Sequence, residues 1–208
     1  MDYKRNARYF SKTFARNMII LAVAGIILAT VGGFIWWNIY LGIFDIIVEI
    51  AAVAGVILSA SAISQRPSDK DLFEQIEDHK RRFREEALEA YGYPADVENC
   101  TRIIWGFVPG SVEKITKDGK TITDRVEFAF IWLKKGELAV YRQTVSLLTE
   151  EVQVTDLRLS RATLSTALDR EVGMLTLHTP DETMVLSVFA PDYKLEEFLS
   201  EIVRQKGK

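Results

Sequence analysis

A long apolar block, a helix-spaced segment after it and a closing stretch of apolar–polar alternation predict an α-helical transmembrane hairpin joined to an α+β cytoplasmic domain. The chain has 208 residues with 26 Lys and Arg against 29 Asp and Glu, a near balance that argues against a nucleic-acid partner. The charge is unevenly spread. Lys4, Arg5, Arg8, Lys12 and Arg16 oppose Asp2 alone in the first 16 residues, whereas 21 basic and 26 acidic residues follow from Arg66 onward. Four parts result: a basic amphipathic N-terminal segment over 1–16, a two-helix hairpin over 17–63, a juxtamembrane helix over 67–92, and a sheet domain with a C-terminal helix over 96–208.

The N-terminal segment brings Lys4, Arg5, Arg8, Lys12 and Arg16 next to the bilayer as candidate contacts for anionic headgroups. Residues 18–63 then carry few polar side chains. They amount to roughly twice the ~20 residues that one helix needs to cross a bilayer. Asn38 and Gly42 place the break, giving spans near 17–37 and 43–63 with a short connection. Trp36, Trp37 and Tyr40 cluster there, as amphipathic rings do at a headgroup layer. A secretory signal is the rival reading, with Ala60-Ser61-Ala62 as its cleavage site. The apolar block is roughly three times too long for it.

Basic residues precede the first span and follow the second, and none lies in the turn. Both termini are therefore expected in the cytoplasm, with two spans and the turn outside. Gly25, Ala29 and Gly33 in the first span and Ala51, Gly55 and Ser59 in the second recur at four-residue intervals. With the turn centred at residue 40, Gly25 should meet Gly55 and Ala29 should meet Ala51, packing the hairpin through small residues or forming a homodimer seam. Asp45 and Glu49 are carboxylates inside a span, where they are costly. Asp45 suits a cap of the second helix. Glu49 should point away from the stripe, where it is protonated, reached by water through local thinning of the bilayer, or in contact with another chain.

The helix over 67–92 opens on the capping box Ser68-Asp69-Lys70-Asp71 and carries Leu72, Phe73, Ile76, Phe83, Ala87 and Tyr91 at helical spacing, ending before Gly92 and Pro94. Lys80, Arg81, Arg82 and Arg84 make a second candidate headgroup contact, or a solvated face interleaved with acidic residues. Beyond Asp96 the period falls to two. Strands are predicted over 101–108, 112–117, 125–133, 137–148, 152–159, 173–179 and 184–190. Phe128, Phe130 and Trp132 against Leu138, Val140 and Arg142 form one hairpin. Pro191-Asp192 caps a last helix with the stripe Leu195, Phe198, Leu199, Ile202 and Val203, which closes the sheet.

The run Gly136-Glu137-Leu138-Ala139-Val140-Tyr141, the segment 152–159, Gly173-Met174-Leu175-Thr176-Leu177-His178-Thr179 and Asp192-Tyr193-Lys194-Leu195-Glu196-Glu197-Phe198 resemble a bacterial pleckstrin-homology-like domain. With the hairpin before it, the chain is similar to small bacterial membrane proteins of the YcxB-like type. The resemblance implies a partly open seven-stranded antiparallel barrel capped by the C-terminal helix. Lys114, Lys117 and Lys120 flank the Asp118-Gly119 turn, but no Arg-x-Arg follows, so phosphoinositide recognition is not expected.

Cys100 is the only cysteine and His79 and His178 are the only histidines. A disulfide framework and a Cys/His zinc cage are thereby excluded, and neither a metal nor another cofactor is expected. No nucleophile elbow, Walker loop or dinucleotide turn is present. Asp169, Glu171 and His178 lie close in sequence and read as turn and strand residues. No enzyme activity and no small-molecule substrate are expected. The expected function is a membrane-anchored interaction or scaffold module at the cytoplasmic face, in contact with the lipid bilayer and with a protein partner or further copies of itself. The alternatives are a subunit of an oligomeric channel or transporter with Glu49 in its pathway, and an inner-leaflet lipid sensor.

Overall fold

The computed structural model describes residues 1–38, 42–92, 100–110, 112–116, 118–134, 136–189 and 193–204. The chain combines helices with antiparallel sheets and divides into two compact units, Lys4–Asp71 and Leu72–Lys208 with Met1–Tyr3.

In the first unit, α1 (Tyr3–Phe10) precedes α2 (Phe14–Asn38) and α3 (Gly42–Ser64). The helices α2 and α3 pack on each other along small side chains. A Cβ on Gly25 would lie 3.0 Å from the Ala52 carbonyl oxygen and 3.1 Å from Val56 Cγ2, so only glycine permits this approach. Large aliphatic residues face outward. Ile19, Ile20, Ile26 and Ile27 of α2 and Ile47, Ile50, Ile57 and Leu58 of α3 are each more than half exposed. One helix near the N-terminus, with its apolar window at Phe14–Val31, is long and apolar enough to cross a membrane among the described residues.

The second unit begins on α4 (Asp69–Tyr91), which opens in the first unit on the expected capping box. The Asp71 N–H donates to Ser68 Oγ at 3.2 Å, while Asp71 Oδ2 accepts the Ser68 N–H at 2.7 Å. The Ser68 N–H and the Ser68 hydroxyl, both donating to Oδ2, hold the Asp71 carboxyl below its usual range. The helix stops at Tyr91, followed by Gly92 at φ 80°.

Nine strands follow among the described residues: β1 (Thr101–Phe107), β2 (Glu113–Ile115), β3 (Thr121–Thr123), β4 (Arg125–Leu133), β5 (Glu137–Ser146), β6 (Val152–Ser160), β7 (Ser165–Asp169), β8 (Met174–His178) and β9 (Thr183–Ser187). All pairings are antiparallel. They build a four-stranded sheet in the order β1-β4-β5-β6, a three-stranded sheet β7-β8-β9 and the hairpin β2-β3. Strands β3 and β7 were not expected. The three residues of β3 are too few to show a period, and Ser165-Thr166-Ala167-Leu168-Asp169 has a single large apolar side chain.

The four-stranded sheet is covered on both faces, which is why β4 is buried almost throughout. On one face Ile104, Ala129, Ile131, Leu138 and Val140 meet Leu175, Leu177 and Leu186 of the three-stranded sheet. Leu195, Phe198, Leu199 and Ile202 of α5 (Tyr193–Arg204) close this core. The Val203 side chain and the expected cap at Pro191-Asp192 lie outside the described residues. On the other face α4 lays Phe83 against Phe128 and Tyr141, with ring centroids 5.7 and 5.5 Å apart, and Tyr91 against Phe130 and Trp132. The two sheets meet at Gly106, where a Cβ would lie 2.6 Å from the Ser187 carbonyl carbon. Beside this contact the Phe189 N–H donates to the Trp105 carbonyl at 2.6 Å.

The β4–β5 hairpin forms as expected, but its facing differs. Leu133 pairs with Leu138, so odd residues of β4 pair with even residues of β5. Phe130 is thereby opposite Tyr141, and Phe128 opposite Gln143. Leu138, Val140 and Arg142 share the opposite face with Ala129 and Ile131. The loop length sets this register, and a one-residue slip exchanges the faces.

His79 lies in the α4 interface, its ring centroid 5.0 Å from that of Phe128 and Nε2 3.0 Å from Gln143 Oε1. Burial holds the imidazole below its ordinary value, against the opposing pull of the Gln143 hydrogen bond. The unfolded chain, titrating near pH ~6.5, then binds the proton more readily than the folded one. The contribution of the neutral ring is complete above that pH and is lost as pH falls through it. Urea unfolding of the wild type and H79Q should show the wild type losing stability relative to the variant below about pH 6.5. Parallel pH profiles would contradict this account.

Candidate functional site

The expected membrane residues occupy the first unit, and the structure shifts their arrangement. Gly25 is buried and Ala29 partly buried, as the stripe on α2 requires. On α3, however, Ala52 and Ser59 are buried while Ala51 is exposed, and a Cβ on Gly55 would meet nothing within 4 Å. Gly25 therefore meets Ala52 and Val56, and the pairings with Gly55 and Ala51 are corrected. The reason is geometric: at about 100° per residue, a strict four-residue repeat drifts by about 40° each step. Contact follows mixed steps of three and four, through Met18, Ala22, Gly25 and Ala29 on α2 and Ala52, Val56, Ser59 and Ala62 on α3.

This shift also moves Glu49. Seven residues before Val56, it lies only about 20° from Val56 in projection and is partly buried, unlike its neighbours Ile47 and Ile50. Glu49 thus lies on the hairpin's own seam, and the outward direction that motivated an intermolecular contact is corrected. The side chains of Trp36, Trp37, Asn38 and Asp45 and the exposure of Gly33 lie outside what is described, as does Tyr40.

Basic residues gather at the other end of the hairpin. The amphipathic α1 buries Asn6, Tyr9 and Phe10. It docks at the α3–α4 connection, with Tyr9 Oη donating to Asp69 Oδ1 at 2.7 Å and Arg66 Nη2 donating to the Tyr9 carbonyl at 3.2 Å. Burial, reinforced by Asp69, pushes the Tyr9 hydroxyl pKa upward. This packing brings Lys4, Arg5 and Arg8 to the end of the hairpin where Lys12, Arg16 and Arg66 lie, and Lys4, Arg5, Lys12 and Arg16 are exposed. On α4 the basic residues are partly neutralised by their own helix. Lys80 pairs with Glu77 at 3.1 Å, Arg81 pairs with Asp78, and Arg82 and Arg84 are exposed.

In the second unit the structure assembles a polar group that sequence reasoning missed. Glu127 faces the inter-sheet interior in phase with Ala129 and Ile131, and is 1% exposed. Its Oε1 accepts the Ser187 N–H at 2.8 Å, and its Oε2 is ion-paired with the Arg142 guanidinium, which keeps 32% of its surface in water. Burial pushes the Glu127 pKa up, against the pull of the Ser187 N–H and Arg142. The available signal was a carboxylate in phase with a core-facing strand residue set, but its partner lies on another strand. The ion pair lies within the four-stranded sheet, and the Ser187 N–H bond to Glu127 joins that sheet to the three-stranded one.

Asp169 and His178 are not brought together. Asp169 pairs with Met174 at one end of the β7–β8 ladder and Ser165 with His178 at the other. Asp169 Oδ1 accepts the N–H groups of Glu171 and Val172, both at 3.0 Å, closing the turn before Gly173 at φ 70°. His178 Nδ1 lies 2.6 Å from Thr183 Oγ1, its cross-strand neighbour. Lys120 Nζ lies 4.8 Å over the Phe189 ring, and Lys117 is outside the described residues. Among the described residues no group of three His, Cys, Asp or Glu side chains has the geometry to hold a metal ion. No protein-family model, curated protein or solved structure matches the chain.

Proposed function

We propose that α2 and α3 cross a bacterial inner membrane as a hairpin and that the chain is a membrane-anchored interaction module, with its β-rich unit on the cytoplasmic side. The observation that carries this reading is the distribution of side-chain size on the two helices: small residues fill the seam and long aliphatic ones cover the exterior of both. Such an exterior is favourable in hydrocarbon and a liability in water. The exposed Lys4, Arg5, Lys12 and Arg16 at one end support a cytoplasmic position for both termini. A four-stranded and a three-stranded antiparallel sheet sharing one core with a closing helix support the pleckstrin-homology-like reading of the β-rich unit. Its sheets offer strand edges for peptide or protein docking.

In a Cys100→Ser background, a cysteine at Asn38 should react with an impermeant thiol reagent on intact cells, and one at Lys208 should react only after lysis. Labelling at 208 but not at 38 on intact cells would overturn the orientation, and loss of the chain from membranes on alkaline extraction would overturn the anchor.

A further inference from the structure

We propose that β6 is a homotypic docking edge: two copies of the chain pair their β6 strands antiparallel about a two-fold axis at Leu157, joining their four-stranded sheets into one. The inference rests on the reading of the chain as an interaction module and names its partner.

Strand β6 ends its sheet, with β5 on one side and no strand paired to the other among the described residues. The parity of its ladder fixes which groups face outward. The Ser146 N–H donates to the Glu151 carbonyl at 3.0 Å and the Arg161 N–H to the Gly136 carbonyl at 3.1 Å. Odd-numbered residues therefore bond to β5. Val152, Val154, Asp156, Arg158 and Ser160 present their N–H and C=O groups to the open side. The strand is also unusually bare: Val152 to Asp156 are all exposed, with Val154 at 53%. Natural edges are commonly blunted by a bulge, a proline, a covering element or charged side chains. No bulge or proline interrupts the paired run from Val152 to Ser160, and its two charges, Asp156 and Arg158, are of opposite sign.

The side chains select one register. Asp156 and Arg158 lie on one face of the strand, both exposed; the Tyr91 hydroxyl of α4 donates to Asp156 Oδ1, engaging one of its two carboxylate oxygens, and Arg158 has no ion-pair partner among the described residues. Pairing Asp156 with itself, or Arg158 with itself, would set like charges opposite one another. The register between those two places Asp156 opposite Arg158 of the second copy, and by symmetry Arg158 opposite its Asp156. Val154 then lies opposite Ser160, Thr155 opposite Leu159, and Leu157 opposite itself. This register also satisfies the backbone, because the opposed residues with outward groups are both even-numbered. Leu157, already packed against the inter-sheet core, extends that core across the axis. A two-fold interface of this kind closes on itself and leaves no free edge at the junction.

The test uses the full chain in native membranes, in a Cys100→Ser background. Leu157→Cys sits at the axis in a non-hydrogen-bonded pair, where the spacing suits a disulfide. Oxidation should link it into a dimer. Gln153→Cys should not link, because its two copies would be about 27 Å apart at ~3.4 Å per residue. Asp156→Arg should lower the dimer fraction by about tenfold by opposing two pairs of like charges. Adding Arg158→Asp should restore it. Asp156→Arg also removes the Tyr91 hydrogen bond, and Tyr91→Phe, which removes that bond alone, should leave the dimer fraction unchanged. Equal linking of the two cysteine variants, or equal dimer fractions in the single and double charge variants, would overturn the proposal. Alkaline extraction of the same samples reads the anchor separately. Retained chain without a β6-dependent dimer defeats this inference alone, and released chain defeats the anchor, with crosslinking scored in whichever fraction holds the protein.

Discussion

Replacing Arg142 with alanine should destabilise the β-rich unit by about 3 kcal/mol at neutral pH. That is the low end of the range for removing one partner of a buried ion pair, because Arg142 retains contact with water while Glu127 has almost none. The loss should depend on pH in a defined direction. Burial raises the Glu127 pKa, so the folded state takes up this proton more readily than the unfolded state. The cost of the charged form is complete above the folded pKa and is relieved as pH falls through it. Without Arg142 that cost has no counter-ion to offset it. Urea unfolding followed by tryptophan fluorescence in the solubilised full chain should give a larger difference from wild type at about pH 7.5 than at about pH 5. Glu127→Gln, which cannot carry the charge, should remove the pH dependence when combined with Arg142→Ala. A difference that stays constant with pH would mean that packing of the arginine stem, rather than the carboxylate, accounts for the loss.

Phe198→Ala should cost about 3–5 kcal/mol. Phe198 is 1% exposed and lies in the core between α5 and the two sheets, with the Arg102 guanidinium carbon 5.1 Å from its ring centroid. Truncation therefore leaves both a cavity and a cation without its aromatic face. Phe198→Leu should recover much of the loss, because it refills most of the volume. The midpoint in urea should shift with little change in slope; a shift no larger than that of an exposed α5 substitution such as Lys194→Ala would place Phe198 outside the core.

The elements that were legible in the sequence share one property: their signal is local. The Ser68–Asp71 box announces α4 within four residues, and Leu195, Phe198, Leu199 and Ile202 announce the buried face of α5 within eight. Long strands such as β4, β5 and β6 also show themselves, since their apolar content extends over nine or ten residues. What stayed hidden depends on phase or on distant partners. The α3 seam at Ala52, Val56 and Ser59 differs from the stripe at Ala51, Gly55 and Ser59 by a rotation that composition does not reveal. The facing of Phe130 toward Tyr141 follows from loop length, and Glu127 meets Arg142 and Ser187 only once three strands are assembled. Strand β7 is largely polar and is held by pairing with β8 rather than by an apolar period of its own.

The cover that α4 gives to the four-stranded sheet sets a timetable for synthesis. Phe83 leaves the ribosome about 45 residues before Phe128, at roughly 5–20 residues per second, and its second aromatic neighbour, Tyr141, comes later still. For several seconds the nascent helix must therefore carry an apolar stripe that has no sheet to rest on. Short-range charge pairs such as Lys80 with Glu77 and Arg81 with Asp78 need no later residue, and they can form as soon as the helix does. They give the waiting helix a hydrated side during elongation, and the strands that emerge afterward find their template already wound.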